Sequence, residues 1–154
     1  MPTPTLDRQA EDVAAPRLFE LSRRHNLIIA AGAILGVLAR FGAGEWSKAY
    51  SALDFPLGTL IINLVGCLLI GVVQTIFLEL RLMRREIQLF LAVGLLGGFT
   101  TFSTFSVETM RLLQAGRVPA AITYLALSLV GGMAAVVAGV GATHLLTHWL
   151  RRKE

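Results

Sequence analysis

Glycines, hydroxyls and phenylalanines alternate in one nine-residue run, Gly97-Gly98-Phe99-Thr100-Thr101-Phe102-Ser103-Thr104-Phe105. Such a run supplies hydroxyl donors, ring edges that carry partial positive charge, and a backbone reluctant to stay helical. Those are the groups that replace the water around a small ion. The run lies inside the apolar stretch Ile87–Met110, which is long enough to span a bilayer. Each glycine costs a helix about 1 kcal/mol relative to alanine. Broken backbone at membrane depth is tolerated only where it packs in protein or lines a cavity. The pattern therefore predicts a break at Gly97-Gly98, with Ile87–Leu96 helical before it and Thr101–Met110 helical after it. At such a break the carbonyl end suits a cation and the amide end suits an anion. Phe102 and Phe105 share one face, Thr101 and Thr104 form the stripe beside it, and Glu108 stands one turn beyond Thr104. An acid facing lipid at a helix centre costs about 2.5–3.5 kcal/mol, so Glu108 must meet protein, water or the interface.

Other polar residues interrupt apolar sequence in the same way. Asn63 lies deep in a second apolar stretch, with Thr59 four residues before it and Gln74 further along the same face. Its amide serves either an interhelical hydrogen bond or an anion that needs a donor. Arg40 either snorkels to the interface or places a cation at the mouth of an anion pathway. Tyr124 and Ser128, four residues apart, give a polar stripe in the last stretch. His144 and His148 have the spacing of a metal pair but no third ligand, so they read as surface histidines. Cys67 is the single cysteine, which excludes a disulfide framework and reads as a packing residue.

The elements that must carry these residues follow from composition. The chain has 154 residues, 55% hydrophobic and 16% charged, with a mean hydropathy of +0.66; soluble domains carry about 25% charged residues. Four stretches reach membrane-spanning length: Leu27–Trp46, Phe55–Leu78, Ile87–Met110 and Val118–Leu146. The expected fold is an all-α membrane protein of four transmembrane helices, the third broken near its middle. Pro56 and Pro119 suit first turns. Gly32 and Gly36 in the first stretch, and Gly131, Ala135, Gly139 and Thr143 in the last, form small-residue faces for close packing. Glu45, Trp46, Lys48 and Tyr50 read as interfacial anchors. Residues 1–25 read as a disordered or surface-lying extension without signal-peptide order, 26–148 as the membrane domain and 149–154 as a basic tail.

The net charge of +4 reflects membrane flanks rather than nucleic-acid binding. Arg17, Arg23, Arg24, Arg81, Arg84, Arg85, Arg151, Arg152 and Lys153 would share one side, against Lys48, Arg111 and Arg117 on the other. The positive-inside rule then puts both termini in the cytoplasm, in a multi-pass protein of the inner (plasma) membrane.

GTLIINLVGCLLIG, GLLGGFTTFSTFSVET and LGVLARF, with Tyr124 and Ser128, resemble the signatures of the Fluc/CrcB fluoride channel family over roughly residues 27–148. The resemblance implies an antiparallel, dual-topology homodimer in the lipid bilayer, with two fluoride pores and a structural Na+ at the dimer centre. It implies carbonyls of Gly97 and Thr100 on that sodium, Phe102 and Phe105 lining the pore, and Asn63 facing them. Ser103, Thr104, Tyr124 and Ser128 would continue the polar track, with Glu108 close to it and Arg40 near a vestibule. Leu68 stands where many relatives have phenylalanine, a change expected to touch packing. The arginine bias runs against dual insertion and raises a different partner subunit as the alternative. The competing function is a coupled fluoride/proton antiporter with Glu108 as proton carrier. A small drug exporter would need a carboxylate in mid-first-helix, where this chain has Arg40, and a non-transporting assembly subunit would be indifferent to Asn63 or Phe102. An enzyme is not expected: no Ser/His/Asp constellation and no nucleotide loop is present, and nucleic acid is not expected as a partner.

Overall fold

The computed structural model describes residues 23–50 and 55–152, and of Lys48, Ala49 and Tyr50 the backbone alone. Most of the expected N-terminal extension, the last two tail residues, and the side chains of Lys48 and Tyr50 lie outside the described residues. Among the described residues all regular structure is helical. Helix α1 is Arg23–Tyr50 and α2 is Leu57–Gln74, prolonged by a π-helical turn at Thr75–Glu79. Helix α3 begins at Arg85–Gln88, winds as a π-helix through Leu89–Leu96 and closes at Gly97–Phe99. Helix α4 is Phe102–Gln114 and α5 is Val118–Arg151. They make four apolar spans, Arg23–Ser47, Leu57–Glu79, Arg85–Gln114 and Val118–Arg151, and the chain is a multi-pass membrane protein.

Each boundary has a local cause. Pro56, without an amide hydrogen, is the N-cap of α2, and Pro119 sits in the first turn of α5. Between α4 and α5 the chain reverses at Gly116, whose φ of 71° suits glycine. The Gly116 amide bonds the Leu113 carbonyl at 3.0 Å and the Arg117 amide the Leu112 carbonyl at 2.9 Å. This pair of bonds is a Schellman stop for α4. At 34 residues, α5 is about 50 Å long, so its ends pass beyond the hydrocarbon core.

Packing follows two pairs, α1 on α3 and α2 on α5, with α4 leaning on α5. Glycines set the first. A Cβ on Gly36 would lie 2.1 Å from the Leu95 carbonyl oxygen, and one on Gly32 would lie 2.4 Å from that of Phe90. In the second pair a Cβ on Gly139 would lie 2.2 Å from the Leu68 oxygen, and one on Gly71 would lie 2.4 Å from that of Val136. The small-residue faces expected in the first and last stretches are thus the packing faces. Thr143, buried on the α5 face, returns its hydroxyl to the Gly139 carbonyl at 2.9 Å. His144 pairs with Glu79 at 2.7 Å, tying the ends of these helices together. Large apolar residues such as Phe41, Val130, Met133 and Val137 remain exposed on the outer faces, as lipid-facing residues of a membrane bundle do.

The break is displaced from its expected place. Gly97 keeps helical angles (φ −63°, ψ −35°), and the chain extends only at Thr100 (φ −81°, ψ 155°) and Thr101 (φ −148°, ψ 118°). β-Branched residues favour that extended region. The glycine pair has another use: a Cβ on Gly98 would lie 2.6 Å from the Ala33 carbonyl oxygen. The π-helical winding of Leu89–Leu96 had no signal in the sequence.

Candidate ion pathway

Asn63, half-buried on α2, holds the break open from outside. Its Oδ1 accepts the Thr101 amide at 2.8 Å and its Nδ2 donates to the Thr101 carbonyl at 3.0 Å. The side chain thereby satisfies both backbone groups of one residue, as a neighbouring strand would. Of the two uses the sequence allows Asn63, interhelical bond or pore amide, it makes the first, and one Nδ2 hydrogen remains for the second. The bond is within one chain, to backbone.

Two further diversions follow on either side of the break. In a continuous helix the Thr101 amide would bond the Gly97 carbonyl and the Thr104 amide that of Thr100. Here Asn63 takes the first, and the Thr101 hydroxyl oxygen accepts the second at 3.2 Å as the N-cap of α4. The Leu96 carbonyl, by contrast, accepts both the Thr100 amide and its hydroxyl, at 3.0 and 2.9 Å. The carbonyls of Gly97 and Thr100 therefore lose their helical donors, with Gly97 on the exposed side. Two released backbone oxygens fit a hard, oxygen-seeking cation, the chemistry of the implied sodium. Across the break, the first amides of α4 lie at the positive end of its dipole, which favours an anion.

Phe102 and Phe105 stand with ring centroids 5.5 Å apart, yet they differ in setting. Phe102 is 76% exposed, whereas Phe105 is buried at 7% against Tyr124, with centroids 5.3 Å apart. Both border a cleft of about 380 Å³ that also meets Asn63, Cys67, Thr101 and Ser128. The Ser128 hydroxyl is buried without a hydrogen-bond partner among the described residues. Ser103 and Thr104 are exposed at the start of α4, joined to the Thr101 hydroxyl at 3.2 and 3.0 Å.

Glu108 gathers the other polar groups. Oε1 accepts the Thr59 hydroxyl at 2.9 Å, and Oε2 accepts the hydroxyl of Tyr124, fully buried on α5, at 2.7 Å. One carboxylate thus links α2, α4 and α5. Phe55 stacks edge-on against Tyr124, centroids 5.6 Å apart. Arg40, half-buried, borders a second cleft of about 410 Å³ with Glu45, Thr59, Thr104 and Glu108. A third cleft, of about 370 Å³, lies on the far side of Glu108 and is lined by Phe55, Leu112, Arg111 and Arg117.

The fold therefore brings Asn63, Phe102, Phe105, Ser103, Thr104, Tyr124, Ser128 and Glu108 into one connected track, with Arg40 at its edge. Two residues of this track were not singled out from the sequence as site residues: Thr59, which bonds Glu108, and Thr101, which receives Asn63. Their signals were the four-residue spacing of Thr59 to Asn63 and the cap-like Thr101-x-x-Thr104 pattern. His144 and His148 stay outside the track; among the described residues no group of three metal-ligating side chains forms.

Residues 27–140 match the family described as CrcB-like protein, Camphor Resistance (CrcB). A Pseudomonas putida protein named fluoride-specific ion channel FluC is 47% identical over 115 residues, covering 75% of this chain and 93% of the relative. Proteins of the same name from Pseudomonas fluorescens and Chloroflexus aurantiacus are each 46% identical. The first covers 77% of this chain and 96% of its own length, the second 75% and 91%.

Proposed function

This chain belongs to the CrcB-like family, and from that starting point we propose that it is a passive, fluoride-selective channel of the plasma membrane that lets cytoplasmic fluoride out. The observation that carries the reading is the donor track at the break. Fluoride is small and tightly hydrated, so a pore must exchange its water for fixed donors without holding it too strongly. The spare Asn63 amide hydrogen, the orphaned Ser128 hydroxyl and the Thr104 hydroxyl, which accepts from Thr101 and keeps its own hydrogen, are such donors. The ring edges of Phe102 and Phe105 offer weak positive potential between them. The α4 dipole adds its positive end. Arg40 adds a positive charge at the edge of the track, beside Glu45 and Glu108.

Glu108 is the group that needs explaining in an anion path. Each of its oxygens accepts one hydroxyl hydrogen bond, from Thr59 on one side and Tyr124 on the other. Held by two other helices, Glu108 is a fixed link between them, which favours a passive pathway over a fluoride/proton antiporter in which it carries the proton. No covalent step is required, and the protein acts as a conduit, not an enzyme.

The exposed Phe102, together with Gly97 on the same open side, favours completion of the pathway by a second copy in an antiparallel homodimer. The released carbonyls of Gly97 and Thr100, paired with those of the partner, would hold Na+ there and contribute a fixed positive charge at the centre. The chain's own part is to keep those oxygens free, which Asn63 and Thr101 do.

The test is efflux from fluoride- and chloride-loaded liposomes followed with ion-selective electrodes. The expected result is fast fluoride loss that requires valinomycin to relieve charge build-up, with chloride retained. A membrane potential drives such a flux with about 2.3 kcal/mol per charge per 100 mV. Fluoride loss that instead follows a proton gradient, and stops in Glu108→Gln, would give the function to the antiporter. Tyr124→Phe removes one of the two bonds to the half-buried Glu108, a loss of about 1–3 kcal/mol. Its fluoride flux is expected to fall about tenfold, with chloride still excluded.

A further inference from the structure

Phe55 stands just before α2, outside any helix, yet a tight turn fixes it. The Leu57 amide donates to the Phe55 carbonyl at 2.8 Å, and Pro56 between them has φ −78° and ψ 58°. That bond and those angles make an inverse γ-turn, with φ locked by the proline ring. The Pro56 carbonyl accepts the Leu60 amide at 3.2 Å, which ties the turn to the start of α2. From this turn the half-buried Phe55 ring meets Tyr124 of α5, 5.6 Å between centroids and 81° between planes. Aromatic pairs favour that edge-to-face arrangement. Tyr124 is fully buried and donates its hydroxyl to Glu108 at 2.7 Å. The hydroxyl lies on the ring axis, so ring flips leave it in place, and a swing of the whole side chain is needed to carry it off. Of the two rings packed on Tyr124, Phe105 borders the cleft at the break and Phe55 borders both clefts beside Glu108. Phe55 is thus the ring that stands between those two clefts and Tyr124.

We infer that Phe55 is a positioning residue of the ion pathway: its ring, set by the turn at Pro56, holds the Tyr124 hydroxyl on Glu108 and keeps water off that bond. This inference rests on the reading of the protein as a fluoride channel. Without the ring, Tyr124 gains room to swing, and water from either cleft competes for Oε2 of Glu108. The link from α4 to α5 then loosens, while the Thr59 bond on Oε1 stays. Phe55 acts on the ion through Tyr124 and through no contact of its own.

The test reads the tyrosine hydroxyl first and transport second. The chain has two tyrosines, so a Tyr50→Phe background of the full chain leaves Tyr124 as its one Raman reporter. The intensity ratio of the tyrosine ring doublet distinguishes a hydroxyl that donates to a carboxylate from one shared with water. Phe55→Leu is expected to move this ratio from the first state towards the second, and Phe55→Trp, which restores a ring, to return it. Phe55→Leu should also slow fluoride efflux about fivefold, the scale of one aromatic pair. In a Tyr124→Phe background the same substitution should slow it by less than about twofold, because no hydroxyl is left to position. A residue that merely filled space would slow both backgrounds alike. An unchanged Raman ratio in Phe55→Leu, or an equal loss of flux in the two backgrounds, would overturn the inference. If Phe55→Leu does not fold, Phe55→Met, unbranched and without a ring, gives the same two readings. Absence of fluoride efflux from the parent protein would sink the channel reading, while the Raman ratio would still decide whether Phe55 holds Tyr124.

Discussion

Asn63→Ala is expected to lower fluoride efflux by at least about 100-fold and to destabilise the folded chain. The substitution deletes two hydrogen bonds and strands the amide of Thr101 at membrane depth, while its carbonyl, at the N-cap, keeps the first bond of α4. Leaving the amide unsatisfied costs about 1–3 kcal/mol. The stranded amide has a ready alternative, the carbonyl of Gly97 four residues back. Re-forming that bond would close the break, bury the released oxygens and turn Phe102 away from Phe105. Asn63→Asp keeps the acceptor for the Thr101 amide but sets a second acceptor against the Thr101 carbonyl and adds a negative charge on the anion path. Its stability and its flux should both fall at least as far as in Asn63→Ala. Thermal unfolding in detergent and electrode-monitored efflux measure the two quantities. Parent-like flux in Asn63→Ala would remove the clamp from the account of the break.

The second large effect concerns the glycine pair. Gly98→Val should prevent correct folding, and Gly97→Ala should leave the fold of the single chain intact. A side chain on Gly98 meets the backbone of α1, with its Cβ 2.6 Å from the Ala33 carbonyl oxygen. Helix backbones cannot yield as a flexible side chain can, so α1 would have to move off α3. Overpacking of ordinary cores already costs about 1–3 kcal/mol, and here the contact is backbone to backbone along a whole seam that includes Gly32, Gly36 and Gly94. A Cβ on Gly97 has its nearest neighbour at 3.9 Å, an ordinary contact. Size-exclusion profiles and melting curves of the two variants distinguish the cases. Equal tolerance of both would mean that neither glycine is needed for helix approach. Loss of function in a stable Gly97→Ala would place that position against a partner copy.

These two predictions show where local sequence reasoning misled. Low helix propensity at Gly97-Gly98 suggested a break there, yet the pair stays helical and tertiary packing uses Gly98 for close approach to α1. The break moved to Thr100 and Thr101 because Asn63 offers Thr101 a better partner than the helix does. Propensity cannot see a side chain 38 residues away. Phe102 and Phe105 were rightly placed on one helical face by their spacing of three. Their different burial depends on Tyr124 of α5, which takes one ring and leaves the other open. Glu108 was legible as an acid that must avoid lipid, but its partners were not. Thr59 and Tyr124 reach it from two other helices.

By itself, the sequence determined the number of membrane spans, the polar residues within them, the small-residue faces and the family. Each of these depends on residue type and short spacing along one helix: hydropathy over about 20 residues, periods of three and four, and a dense local motif. Only the tertiary structure decided where the third span breaks, which carbonyls are released and how Glu108 is satisfied. Those depend on which helices come together. Hydrogen bonds and fields between residues far apart in the chain exist only once α1 has seated on α3 and α2 on α5.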